Sequence, residues 1–123
     1  MRLYDIIAAL AEHQGPEFIE SGGWDILKFP NGVAICCRFI TITTTITTDA
    51  GSVYTHRTNT QSIPDGLFIE TPKMFGNCHT EGAQWVQVNA VTPTTYKIEL
   101  FYPTPYTTAA AWPCSVFAIG RWK

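Results

Sequence analysis

The sequence predicts an all-β fold, an antiparallel β-sandwich or jelly-roll-like domain with one short N-terminal helix. Three observations carry this expectation. Several stretches alternate apolar and polar residues with a period of two. Polar turns rich in Pro, Asn, Gly and Thr separate them. Only one stretch, at the start, has helical spacing. Its 123 residues fit one domain, divided into a helix and connecting segment over 1–22 and a β-sandwich over 23–123.

Leu3, Ile6, Ile7 and Leu10 recur at helical spacing among the good helix formers Ala8, Ala9 and Ala11, and Gly15-Pro16 ends the pattern. Such a helix either caps the open end of its own domain or meets copies of itself. Trp24, Ile26, Leu27 and Phe29 then run into Pro30-Asn31-Gly32, a hairpin turn that returns through Val33, Ile35, Cys37 and Phe39. On the return strand the apolar positions switch from odd to even at Ile40, Ile42 and Ile46, which predicts a bulge near Phe39-Ile40 or a change of packing partner. Residues 40–48 contain only Thr and Ile, whose branched Cβ atoms favour strands. Further strands are expected over Ser52–Arg57, Phe68–Lys73, Gln84–Val91, Thr95–Tyr102 and Ser115–Trp122. Thr92-Pro93-Thr94 reads as a hairpin connection, and Tyr102–Pro113, with three prolines, as a long loop.

Composition narrows the function. Charged residues are 15% of the chain, against ~25% in ordinary domains. The outside must therefore be solvated by neutral groups such as threonine, or covered by another chain. The net charge of −2 and the scattered Lys and Arg provide no basic stripe for nucleic acid. No apolar run approaches the roughly 20 residues of a membrane span. Asp5 and Glu12 interrupt the order expected of a signal peptide, so synthesis in a cytoplasm is expected. There Cys36, Cys37, Cys78 and Cys114 should be free thiols. Cys36 and Cys37, adjacent on a strand, should face opposite ways, and their spacing suits no zinc site.

No nucleophile elbow, phosphate loop or metal-binding histidine pair is present, so neither a catalytic residue nor a cofactor is expected. Cys78-His79-Thr80-Glu81 is the densest polar cluster and reads as a loop. Asp49, Asp65, Glu70 and Glu81 are spaced along the chain with nothing to pair them as hydrolytic carboxylates. Tyr106 and Trp112 flank Thr-Thr-Ala-Ala-Ala. They either present flat aromatic faces to a sugar ring or fold down onto the domain. With His79 and Glu81 they form the expected ligand-binding set, while Ile40, Ile42 and Ile46 form the expected contact between subunits.

Trp24, Lys28, Phe29 and Pro30-Asn31-Gly32, followed by a cysteine on the return strand, resemble the opening of C-terminal domains in phage and prophage minor structural and tail-fibre proteins, mainly of Gram-positive, often gut, bacteria. Ala118-Ile119-Gly120-Arg121-Trp122-Lys123 looks like the ending of the same domains, and Pro64, Leu67, Phe68 and Thr71-Pro72-Lys73-Met74 are similar to their middle strand. Phe29 stands where tryptophan is more usual. The resemblance covers roughly residues 18–123 and offers no catalytic residue. It implies a domain of the virion tail, assembled in the host cytoplasm with other tail proteins. Such a domain contacts a host-surface glycan, as a homotrimer about the fibre axis. A free carbohydrate-binding module and a purely architectural tail subunit are the competing expectations.

Overall fold

The computed structural model describes residues 2, 3, 5, 15–80 and 82–123. Over residues 15–80 and 82–123 the elements are strands: β1 (Glu17–Ser21), β2 (Trp24–Lys28), β3 (Val33–Ile46), β4 (Thr48–Asp49), β5 (Tyr54–Arg57), β6 (Gln61–Ser62), β7 (Lys73–Cys78), β8 (Trp85–Thr92), β9 (Thr95–Tyr102) and β10 (Tyr106–Arg121). The helix expected over Leu3–His13 lies almost wholly outside the described residues.

The strands form two antiparallel sheets. The first has the order β1-β2-β3-β10-β7; in the second, β9 pairs with β5 and β6 on one side and β8 on the other, with β4 beyond β5. Turn chemistry sets several of these pairings. Gly22-Gly23, both at positive φ, joins β1 to β2 with Ser21 opposite Trp24. This stretch, expected as a connecting segment, is therefore an edge strand. At the next turn the Asn31 side chain accepts from the Val33 amide at 3.1 Å, and Gly32 adopts φ 97°. Thr92 pairs with Thr95 across Pro93-Thr94, as the sequence predicts.

The core lies between the sheets. Trp24, Ile26, Ala34, Cys36, Val116 and Ala118 of the first sheet pack with Val88, Tyr96 and Ile98 of the second. Leu67 and Phe68 close this cluster from an irregular segment rather than from the expected strand over Phe68–Lys73. Pairing begins only at Lys73, after Pro72, which has no amide hydrogen to donate. A second cluster holds Ile46, Leu100, Trp112 and Cys114.

The long ladder of β3 and β10 overturns two expectations. Pairing is regular from Ala110↔Thr44 to Arg121↔Val33, with the irregularity between Tyr106 and Ala110 and none at Phe39-Ile40. The inward face of β3 is even throughout, from Ala34 and Cys36 to Ile42 and Ile46. Ile46 is fully buried, and Ile40 and Ile42 are partly buried against the core, so this trio lies on the inward face of its own sheet. The odd residues Val33, Ile35, Cys37 and Phe39 face outward: the strand is apolar on both sides and has no parity switch.

Residues 106–113, expected as loop, belong to β10. Pro113 is tolerated there because its carbonyl, and hence its amide side, faces away from β3. The carbonyl accepts from the His79 amide at 2.7 Å, just past the end of β7. The chain end is pinned by Trp122, whose indole donates to the Phe29 carbonyl at 2.8 Å, and Lys28 lies 4.3 Å from its ring centroid.

Candidate ligand-binding site

The described members of the expected quartet, Tyr106, Trp112 and His79, do not converge. Trp112 is only 4% exposed because it continues the inward series Trp112, Cys114, Val116, Ala118. Its indole donates to the Thr44 carbonyl at 3.0 Å, and its ring packs against Tyr106 and Tyr102 at 5.1 and 6.0 Å between centroids. Of the two expectations for Tyr106 and Trp112, the aromatics fold inward. His79 lies on the opposite, outer side of the first sheet, hydrogen-bonded to Ser115 and 5.5 Å from the Phe39 ring. Glu81 is outside the described residues.

A different set converges on the outer face of the second sheet. Period-two alternation turns Val86 and Val88 inward and Trp85, Gln87 and Asn89 outward on β8; β9 turns Tyr96, Ile98 and Leu100 inward and Lys97, Glu99 and Phe101 outward. Register then aligns these side chains into rows across three strands. Trp85, Phe101 and Thr55 form one row, and Gln87, Glu99 and Arg57 the next. Asn89 and Lys97 continue the pattern on β8 and β9.

The aromatic row is a platform. Trp85 and Phe101 stack at 5.5 Å between centroids and 3° from parallel, with Trp85 45% exposed. Cross-strand aromatic pairing of this kind holds the indole at a set height above the sheet. From the aromatic row the Thr55 hydroxyl donates across to Glu99 Oε1 at 2.9 Å, and within the neighbouring row Arg57 Nη2 donates to Oε2 at 3.2 Å. Each carboxylate oxygen keeps a lone pair for a further donor. Gln87 Nε2 donates to Asn89 Oδ1 at 3.5 Å, leaving both amides open to solvent. Beside this row lies an open hollow of about 390 Å³ lined by Thr48, Thr55, His56, Arg57 and Glu99.

This arrangement offers a flat apolar surface next to donors and acceptors held by their own hydrogen bonds. It suits a ligand with one apolar face and a hydroxyl-rich rim. Among the described residues no group of three or more His, Cys, Asp or Glu is placed to hold a metal ion. Among the same residues no helix is long and apolar enough to cross a membrane.

The signal for this face was present in the sequence, since the alternation that turns Val86 and Val88 inward sends Trp85 outward. An indole on the polar side of a strand is the informative exception. The row with Glu99 and Arg57 was not legible, because it needs the pairing of β5, more than forty residues away in sequence, with β9. No protein-family model, curated protein or solved structure matches this chain.

Proposed function

We propose that this chain is a non-catalytic binding domain at the host-facing end of a bacteriophage or prophage tail. Its ligand is a host cell-surface saccharide, bound across the outer face of the second sheet on a jelly-roll-like sandwich. The observation that carries this reading is the Trp85–Phe101 platform in register with the Gln87–Glu99–Arg57 row. A pyranose ring has an apolar face to lay on an indole and equatorial hydroxyls that reach amide, guanidinium and carboxylate groups alongside. Glu99 is the one carboxylate among the described residues in these rows, whereas glycoside hydrolysis ordinarily uses two.

The tail assignment rests on the resemblance of the Trp24–Gly32 opening and the Ala118–Lys123 ending. Those residues have scaffold roles here: Trp24 is buried, Gly32 completes a turn and Trp122 pins the terminus. They support a shared fold, not a shared receptor. The homotrimer belongs to the same proposal, without the contact through Ile40, Ile42 and Ile46.

Binding to purified cell-wall polysaccharides of Gram-positive gut bacteria, measured by calorimetry, tests this reading. Trp85→Ala should weaken binding by roughly 30-fold, the scale of a tryptophan hot spot, with the thermal transition nearly unchanged. Binding to no such polysaccharide, or equal binding by the variant, refutes the assignment. An architectural tail subunit is the second reading, favoured by the apolar outer face of the first sheet.

A further inference from the structure

The outward residues of the first sheet form the broadest apolar surface among the described residues. Phe18, Leu27, Ile35 and Ile119 fall in one row across β1, β2, β3 and β10, and Cys37, Phe117 and Phe75 in the next across β3, β10 and β7. Phe39 extends the surface beside Ser115 and Asn77. Phe18, Phe39, Phe75, Phe117 and Ile119 are each between 36% and 63% exposed, and Phe75 stacks on Phe117 at 5.7 Å. The opposite face of the same strands already forms the core, and among the described residues this set stays open to solvent.

We propose that this face is the contact between copies of this chain. Two observations select a second copy as its occupant. The first is area. An aromatic side chain presents roughly 200 Å² when fully exposed, so the five residues leave on the order of 500 Å² of carbon surface open. One side of a standard interface is ~800 Å², and about 65% of it is apolar where identical chains meet, again on the order of 500 Å². The second is charge. Exposed Glu20 and Asp25 flank the face at β1 and β2, and exposed Lys73 flanks it at β7. A second copy whose β1–β2 flank lies over the β7 flank of the first sets the acidic pair against the lysine. One surface thus carries both halves of a complementary pair, which a surface made for an unrelated partner has no reason to do. Glu17 and Glu20 on β1 also discourage growth of the sheet by edge-to-edge pairing, which directs association to the face.

The inference stands independently of saccharide binding. Sedimentation of the full chain at micromolar concentration tests it, with the wild type expected to be self-associated. Phe117→Asp should weaken association by roughly a hundredfold or more, since a charge buried without a partner is costly, while a monomer carries it in water without penalty. Should that variant fail to fold, Glu20→Lys alone should weaken association and Glu20→Lys with Lys73→Glu should restore it. A monomeric wild type overturns the proposal. So does assembly unchanged in a folded Phe117→Asp or in Glu20→Lys. Polysaccharide binding by monomeric Phe117→Asp, lost on adding Trp85→Ala, separates the two faces.

Discussion

On the outside of the first sheet, Phe18, Leu27, Ile35 and Ile119 stand in register with little to hydrogen-bond; on the outside of the second, Gln87, Glu99 and Arg57 stand in register beside a single aromatic pair. Both rows arise from the same period-two geometry, and both sheets bury their other side in the same core. The difference lies in what the outward positions hold. An apolar face gains by excluding water over a broad area without fixing any one group. A polar face with a platform can orient a small polar ligand but gains little by covering itself. One domain therefore carries one surface suited to area and another suited to direction.

The comparison requires that the aromatics between the sheets belong to neither surface. Trp112→Ala should therefore cost about 3–5 kcal/mol in denaturant unfolding, the range for a buried aromatic replaced by alanine. Trp85→Ala should cost under about 1 kcal/mol, as exposed substitutions do. Comparable stability losses for the two would erase the distinction between interior and surface tryptophan.

Alkali should act on the buried thiols of the interior. Burial pushes the Cys36 thiol up to about 12 from its ordinary 9.0, with the neighbouring Cys37 adding to the shift; burial, with Cys78 beside it, does the same for Cys114. The folded state holds these protons more tightly than the unfolded chain does. Their contribution is thus fully present below about pH 9 and is lost as pH rises from about 9 to about 12, on the order of a few kcal/mol. Thermal unfolding across this range should show a declining midpoint, and Cys36→Ala with Cys114→Ala should flatten the slope. An unchanged slope in the double variant would assign the loss to other groups.

Arg57→Ala should lower saccharide affinity by several-fold, less than the loss of Trp85, because Thr55 still orients the Glu99 carboxylate. A larger loss than for Trp85→Ala would shift the centre of the site from the platform to the hollow.

The smallest effect concerns Cys37, half-exposed on the apolar face, against Cys36, buried directly behind it. Alkylation near neutral pH should reach Cys37 well before Cys36. Its rate should fall a few-fold at concentrations where the protein self-associates and recover in Phe117→Asp. Equal rates for the two thiols would contradict their opposite orientations.

Wherever a single strand carried its own instructions, those were legible in the residues alone. Thr95–Tyr102 alternates cleanly and became β9 with its ends as expected, and Pro30-Asn31-Gly32 and Pro93-Thr94 became the turns their backbone preferences favour. The opposite orientations of Cys36 and Cys37 also followed from strand geometry. Ser21-Gly22-Gly23-Trp24 carried an equally plain turn signal, and β1 was recoverable from it.

Only the tertiary structure decided which face of β3 is interior. Val33, Ile35, Cys37 and Phe39 are as apolar as Ala34, Cys36, Ile40 and Ile42, so periodicity alone allowed either set to face the core. The choice came from the second sheet, which lies on the even side with Tyr96, Ile98 and Leu100. The same layer drew Trp112 and Ile46 inward and left Phe39 and Phe117 outside. A strand fixes the alternation of its side chains by its own geometry, but burial belongs to a pair of surfaces, and the second surface lies elsewhere in the chain.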